Sequence, residues 1–383
     1  MCSNQQAYLV VRCSNNFALR RVIHMKRSLG LALCLVVLLP MTVEVSGSAI
    51  SDRGGVRRVL LSPPFGTPSS GIIVTMTEKE ITVVRRIQAQ IDAYKPIFDT
   101  DRPRLKWRIE KAVAGSATFR LSRRVLWSLE NVFEAAGWST TRSVTVIVAR
   151  SHAFIERELA AINCVPLTLE QGQPLLMGAS VCNHKAIVIN FTGYFFLTSA
   201  LDQLSAELES RQEPPLATTD YRVVDRNISG LAHEWTHAIR NWVVNGRIPS
   251  DEPAWLREGF AEVMATIARA VAFADISNYR TFHLIRMREF SDWETRCGGS
   301  LTNYRVRTNG YNGCEYYFGP VAVELLLADY GGIAKMVKLL EMSGDGITFQ
   351  NVFRNVYGIT LDEFETRATD YIRQIVIADA MKK

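Results

Sequence analysis

The chain has 383 residues, 48% of them apolar and 21% charged. That balance excludes a disordered or fibrous protein and leaves room for one large or two ordinary domains with a proper core. The formal charge of +6 is mostly a feature of the first 49 residues, where Arg12, Arg20, Arg21, Lys26 and Arg27 stand against Glu44 alone. Beyond residue 49 the chain carries no basic patch, so no nucleic-acid partner is expected.

In chain order, Met25-Lys26-Arg27, the apolar run 29–39 and the small residues Ser46-Gly47-Ser48-Ala49 read as the charged, apolar and cleavage regions of a signal peptide. Residues 1–24 have no evident role before such a leader, and Met25 suits a true start. The apolar run is short for a membrane span, so membrane contact is expected only if the leader is uncleaved. The expected organisation is a leader over 1–49, an N-terminal connector and helix over 50–115, and a main domain over 116–383. The protein is expected to be exported, periplasmic or secreted, with a mature start close to Ile50.

Cysteine usage agrees with export. Cys2, Cys13 and Cys34 fall in the leader, which leaves Cys164, Cys182, Cys297 and Cys314. Of the three possible connectivities, the local one closes the two shortest loops, so Cys164 is expected to join Cys182 and Cys297 to join Cys314.

Residues 50–71, rich in Pro, Ser and Gly, read as a loose connector, followed by a helix over 77–95. Arg102, Arg104, Lys106 and Arg108 alternate with Asp101 and Glu110 nearby and read as a solvated face. Leu121, Val125, Leu126, Leu129, Val132 and Phe133 give a helical stripe over 119–136. A strand is expected over 144–148, a short helix over 153–159 and a second strand over 186–190. Asn190 and Asn227 open glycosylation sequons, meaningful only in a eukaryotic secretory pathway. Residues 202–218, with Glu213-Pro214-Pro215, read as a surface loop.

The next stretch carries the chemistry. L-A-H-E-W-T-H over 231–237 contains H-E-x-x-H, and residues four apart on a helix lie one above the other. His233 and His237 can therefore grip one ion from the same face. Val224, Ile228, Leu231, Trp235, Ile239 and Trp242 form an apolar stripe on roughly the opposite side. Gly230 falls near the histidine face, and Asn245-Gly246 suits the helix end. Zinc at a catalytic site takes three protein ligands and keeps one position open. Glu234 lies beside that position, where its carboxylate can take a proton from zinc-bound water. P-A-W-L-R-E-G-F-A-E over 253–262 then supplies the third ligand. Ser250 or Asp251 is expected to cap this helix. Glu258 and Glu262 share its face, Glu258 as the ligand and Glu262 as an acceptor for the N–H of a ligating histidine.

These residues resemble the gluzincin metallopeptidases, the thermolysin-like class with an H-E-x-x-H helix and a glutamate ligand on a later helix. The wording W-L-x-E-G-F-A-E is closest to the peptidase MA-like proteins, and the likeness runs from about residue 115 to the end of the chain. Within it, Tyr316-Tyr317, the helix beginning near Val321 and Tyr330-Gly331-Gly332 look like that family's helix after the zinc site. The resemblance implies a strand edging the cleft, with 186–190 in that place, and a tyrosine donating to the oxyanion, with Tyr317 assigned and Tyr316 and Tyr311 as alternatives. Beyond Glu262, helices are expected over 262–275, 281–291, 318–330, 333–342, 347–356 and 361–379, the last opened by Thr360 and Glu363 in a capping box.

The architecture expected is α+β: a small sheet with helices, then a mainly helical C-terminal part, zincin-like, with zinc at the junction. The function expected is zinc-dependent peptide hydrolysis, with Zn2+ as cofactor and a peptide or protein as substrate. The other reading is a non-catalytic zinc-stabilised scaffold, against which an intact Glu234 argues. A metzincin is excluded because His237 is not followed by G-x-x-H, and no G-x-M-E-N stretch supports an aminopeptidase. His152, His184 and His283 have no ligand spacing and read as ordinary histidines.

Overall fold

A computed structural model describes residues 56–61, 72–94, 105–138, 143–165, 179–182, 185–190, 221–244, 246–273, 293–306 and 313–380. They all belong to one compact unit, Gly47–Lys383. The leader, the 202–218 loop, the 281–291 helix, His184, His283, Tyr311 and Asn245 lie outside the described residues.

The first elements lie partly where a connector was expected. Strand β1 (Val56–Leu61) pairs antiparallel with β2 (Ile72–Thr77), Val56 opposite Thr77 and Leu61 opposite Ile72. The β-branched run of β2 gives β1 a partner far along the sequence, a pairing that composition alone does not reveal. Thr77 then caps α1 (Glu78–Asp92): its hydroxyl accepts from the Glu80 N–H, and Glu80 accepts from the Thr77 N–H at 2.7 Å.

A four-stranded sheet comes next, in the order β3-β4-β6-β5. β3 (Leu105–Ile109), β4 (Val144–Ala149) and β6 (Ala186–Asn190) run parallel, and β5 (Ala179–Val181) lies antiparallel at the edge. Strands buried on both faces read as unbroken apolar runs, and β4 does so: Val144, Val146 and Val148 join the main core, while Ile147 and Ala149 face a smaller one. β3 was not expected. Its exposed Lys106 and Arg108 fit the solvated face, but Leu105 at its start is buried and the strand pairs with β4. The sheet therefore draws in residues before 116. Helices α2 (Lys111–Ala114), α3 (Ala117–Ala135) and α4 (His152–Ala160) complete this part.

The rest of the described residues are mainly helical: α5 (Tyr221–Val243), α6 (Ala254–Phe273), α7 (Trp293–Cys297), a 3-10 turn at Leu301–Tyr304, α8 (Cys314–Tyr317), α9 (Gly319–Tyr330), α10 (Gly332–Ser343), α11 (Phe349–Tyr357) and α12 (Leu361–Ala380). The class is α+β with a helical C-terminal part, as expected. Gly331 ends α9 at φ +115°, a left-handed conformation that suits glycine. Thr360 and Glu363 form the expected capping box ahead of α12. The cap expected for α6 is otherwise. The helix begins after Pro253, its Ala254 N–H donates to the Arg305 carbonyl at 2.9 Å, and Asp251 accepts from the Phe349 N–H at the start of α11. Asp251 is thus a cap for a helix distant in sequence.

Both disulfides join the expected partners, Cys164 with Cys182 and Cys297 with Cys314, their Cα atoms 5.7 and 6.0 Å apart. No described helix is long and apolar enough to cross a membrane.

Candidate metal centre

Helix α5 is built as its stripe predicts. Leu231, Trp235, Ile239 and Trp242 are buried, whereas Gly230, His233, Glu234, His237 and Asn241 stay partly open. The open set recurs at spacings of three and four, one continuous line along the helix. The side chains of Val224 and Ile228 lie outside the described residues.

Helix α6 behaves differently, because α3, α5, α8 and α9 all pack against it. From Ala254 to Ala272 only Arg257 and Glu262 escape burial. A helix enclosed on every side is apolar all round, and the exceptions in such a helix carry information. Glu258 is charged yet only 4% exposed. A buried carboxylate needs a partner, and its partners here are the two histidines and Arg257.

Three donor atoms converge. His237 Nε2 lies 3.1 Å from His233 Nε2 and 3.1 Å from Glu258 Oε2, and His233 Nε2 lies 3.7 Å from the same oxygen. A tetrahedral ion bonded at 2.0–2.2 Å keeps its ligand atoms about 3.3–3.6 Å apart, and this triangle brackets that spacing. His233, His237 and Glu258 therefore form a group competent to hold a metal ion. Glu262 Oε1 stands 3.4 Å from His233 Nδ1, the nitrogen turned away from the donor triangle. Glu234 makes no hydrogen bond or ion pair among the described residues, yet its charge reaches His233.

The electrostatics suit a cation. Burial alone would push the His233 imidazole down, but the carboxylates of Glu258, Glu262 and Glu234 outweigh it and raise the ring to about 9. Burial likewise opposes ionisation of Glu258, and the facing His237 and His233 reverse this, holding its carboxyl far below the usual range. Three carboxylates around two imidazoles leave a surplus of negative charge.

Among the described tyrosines, Tyr316 lies at the site. Its ring stacks on His233, centroids 6.1 Å apart and planes 25° from parallel. Tyr317, the residue the resemblance assigned, packs against the main core and over Gly313. His152 opens α4, on another element.

Other residues around the site carry no sequence signal. Arg257 Nε donates to Glu258 Oε1 at 3.1 Å. Arg240, three residues beyond His237, donates to Glu252 at 2.8 Å in a buried ion pair that ties α5 to the segment before α6. Glu365 on α12 is fully buried, accepts from Trp255 Nε1 at 2.8 Å and takes both oxygens to Arg305. The Arg305 carbonyl caps α6, so this network fixes the start of the helix that presents Glu258. Compared with protein-family models, with curated proteins and with solved structures, the chain finds no match.

Proposed function

We propose that the protein is a zinc-dependent peptidase of gluzincin type, with His233, His237 and Glu258 as ligands and Glu234 as the general base. The observation that carries the reading is the pairing of a converged His-His-Glu donor set with a neighbouring carboxylate that has no structural partner among the described residues. A purely structural metal site has no use for Glu234.

When bound, zinc supplies Lewis acidity, which polarises a scissile carbonyl and lets water ionise near neutral pH. The chain's own residues do the rest. Glu234 takes the proton from the attacking water and passes it to the leaving amine as the C–N bond breaks. Glu262, whose Oε1 stands 3.4 Å from His233 Nδ1, would accept from that nitrogen with the metal in place and so keep the other ring nitrogen free to ligate. Tyr316, the ring beside His233, takes the place of Tyr317 as the proposed donor to the developing oxyanion. Zincin-like architecture, export and a peptide or protein substrate belong to the same proposal. The two disulfides support an oxidising compartment.

The test is metal analysis of the native protein together with cleavage of a random peptide mixture, with and without chelator. Glu234→Gln is expected to keep full zinc and lose turnover. His233→Ala, His237→Ala and Glu258→Ala are each expected to lose most of the metal. A metal-loaded wild-type protein that cleaves nothing sinks the peptidase reading in favour of a scaffold, and full zinc in His237→Ala sinks the ligand set. Two imidazoles and a carboxylate also suit iron, so the metal analysis identifies the ion directly.

A further inference from the structure

We infer that Arg257 is a positioning residue that divides the two oxygens of Glu258, holding Oε1 aside so that Oε2 alone is presented to the metal. The inference rests on the reading that His233, His237 and Glu258 hold a metal.

The division is visible in the distances. Glu258 Oε2 lies 3.1 Å from His237 Nε2 and 3.7 Å from His233 Nε2, inside the donor triangle. Glu258 Oε1 accepts instead from Arg257 Nε at 3.1 Å. A carboxylate with two free oxygens can chelate an ion through both, filling a coordination position that a catalytic site keeps open. Occupying one oxygen with a charge-assisted hydrogen bond removes that mode.

Adjacent residues on a helix do not face one another, yet the more exposed pair Arg157 and Glu158 on α4 makes a contact of the same kind at 3.2 Å. What sets the Arg257 contact apart is its surroundings and its acceptor. Arg257 makes it on a helix where nearly every neighbour is buried, and its own side chain stays 29% exposed against 6% for that of Glu258. Among the described residues Arg257 makes no other hydrogen bond or ion pair. Its distinctive partner is the ligand carboxylate.

Charge and position predict opposite signs, which makes the inference testable. A cation beside a metal site repels the metal, so removal of Arg257 on Coulomb grounds alone should tighten metal binding. If Arg257 positions Glu258, removal should weaken it, by about 10–100-fold, as for other groups that orient metal ligands. The experiment titrates metal-free wild type, Arg257→Met and Arg257→Lys with Co2+, reading both affinity and the visible absorption of bound cobalt. Arg257→Met keeps the aliphatic stem and loses the guanidinium. It is expected to bind Co2+ about 10–100-fold more weakly, with a lower absorbance per bound cobalt as a second carboxylate oxygen enters the coordination sphere. Arg257→Lys, which keeps a donor and a charge, is expected to fall between the two. Thermal unfolding of the metal-free proteins checks that the fold is intact, and Arg257→Gln serves in the same way if Arg257→Met does not fold. Wild-type protein that binds Co2+, with Arg257→Met binding equally or more tightly and an unchanged spectrum, overturns the positioning role alone. Wild-type protein that takes up no Co2+ overturns the reading of the site, and the positioning role with it.

Discussion

Adjacent helical residues point about 100° apart, so Tyr316 and Tyr317 cannot serve one place. The ring stacked on His233 belongs to Tyr316. If its hydroxyl donates to charge that develops only in the transition state, Tyr316→Phe is expected to lower kcat and kcat/KM together by about 10²–10³, with zinc content unchanged. Tyr317→Phe is expected to leave kcat near wild type. Steady-state kinetics on both variants decide it, and a defect confined to Tyr317→Phe returns the role to that residue. A second expectation concerns protons. His233 is raised to about 9 by the carboxylates around it, so in metal-free protein at pH 7 the ring carries a proton that a metal must displace. Glu258 is already ionised and releases none. Metal binding at pH 7 is expected to release about one proton from His233, and affinity is expected to rise with pH until about 9. Titration calorimetry in two buffers of different ionisation enthalpy measures the release, and none at pH 7 means the ring is neutral before metal arrives.

Helix α6 can approach α9 as closely as it does because two glycines meet. A Cβ on Gly259 would lie 2.4 Å from the Gly319 carbonyl carbon, and one on Gly319 would lie 2.5 Å from the Trp255 carbonyl oxygen. Those obstacles are backbone and cannot swing aside. Gly259→Ala gains up to about 1 kcal/mol in helix propensity, but the overpacking penalty is about 1–3 kcal/mol or more. Net destabilisation is expected, read from the denaturation midpoint, with weaker metal binding because Glu258 is the adjacent residue. A variant as stable as wild type would show that the two helices part without cost. The same helix shows where sequence reading works and where it stops. α5 was legible because one side faces the core and the other stays partly open, which writes a period into Leu231, Trp235 and Ile239. α6 has no such period, since it is buried all round, and it was found only through Glu258 and Glu262. The Asp251 cap misled because a carboxylate that looks local serves Phe349. β1 and β3 were missed because each depends on a partner strand rather than on its own pattern. Arg257 and Arg305 were invisible for a related reason: their meaning lies in which carboxylate they reach.

The sheet divides the molecule into two unequal cores, and the two disulfides fall differently between them. Cys164 belongs to the smaller core with Ile147, Ile155, Leu159 and Val188, and Cys182 packs against it. Cys297 and Cys314 are buried in the main core, where α5 and α6 also lie. Cys314 opens α8, two residues before Tyr316, and α8 packs on α6. The bridges close loops of similar length, 18 and 17 residues apart in sequence. In the loop-entropy model each then contributes about 3 kcal/mol to stability. Stability alone does not distinguish them, but the site does. The bridge at Cys297 and Cys314 anchors the turn that carries Tyr316 to His233, whereas the other bridge belongs to the smaller core. Cys164→Ser with Cys182→Ser is expected to lower the unfolding free energy by about 3 kcal/mol and leave kcat intact below the melting temperature. Cys297→Ser with Cys314→Ser is expected to lower stability by a similar amount and also reduce kcat, with metal content retained because no ligand lies on α8. Kinetics and metal analysis at a temperature where both variants are folded separate the cases. Equal kcat in the two variants would mean that packing against α6 holds α8 in place without its bridge.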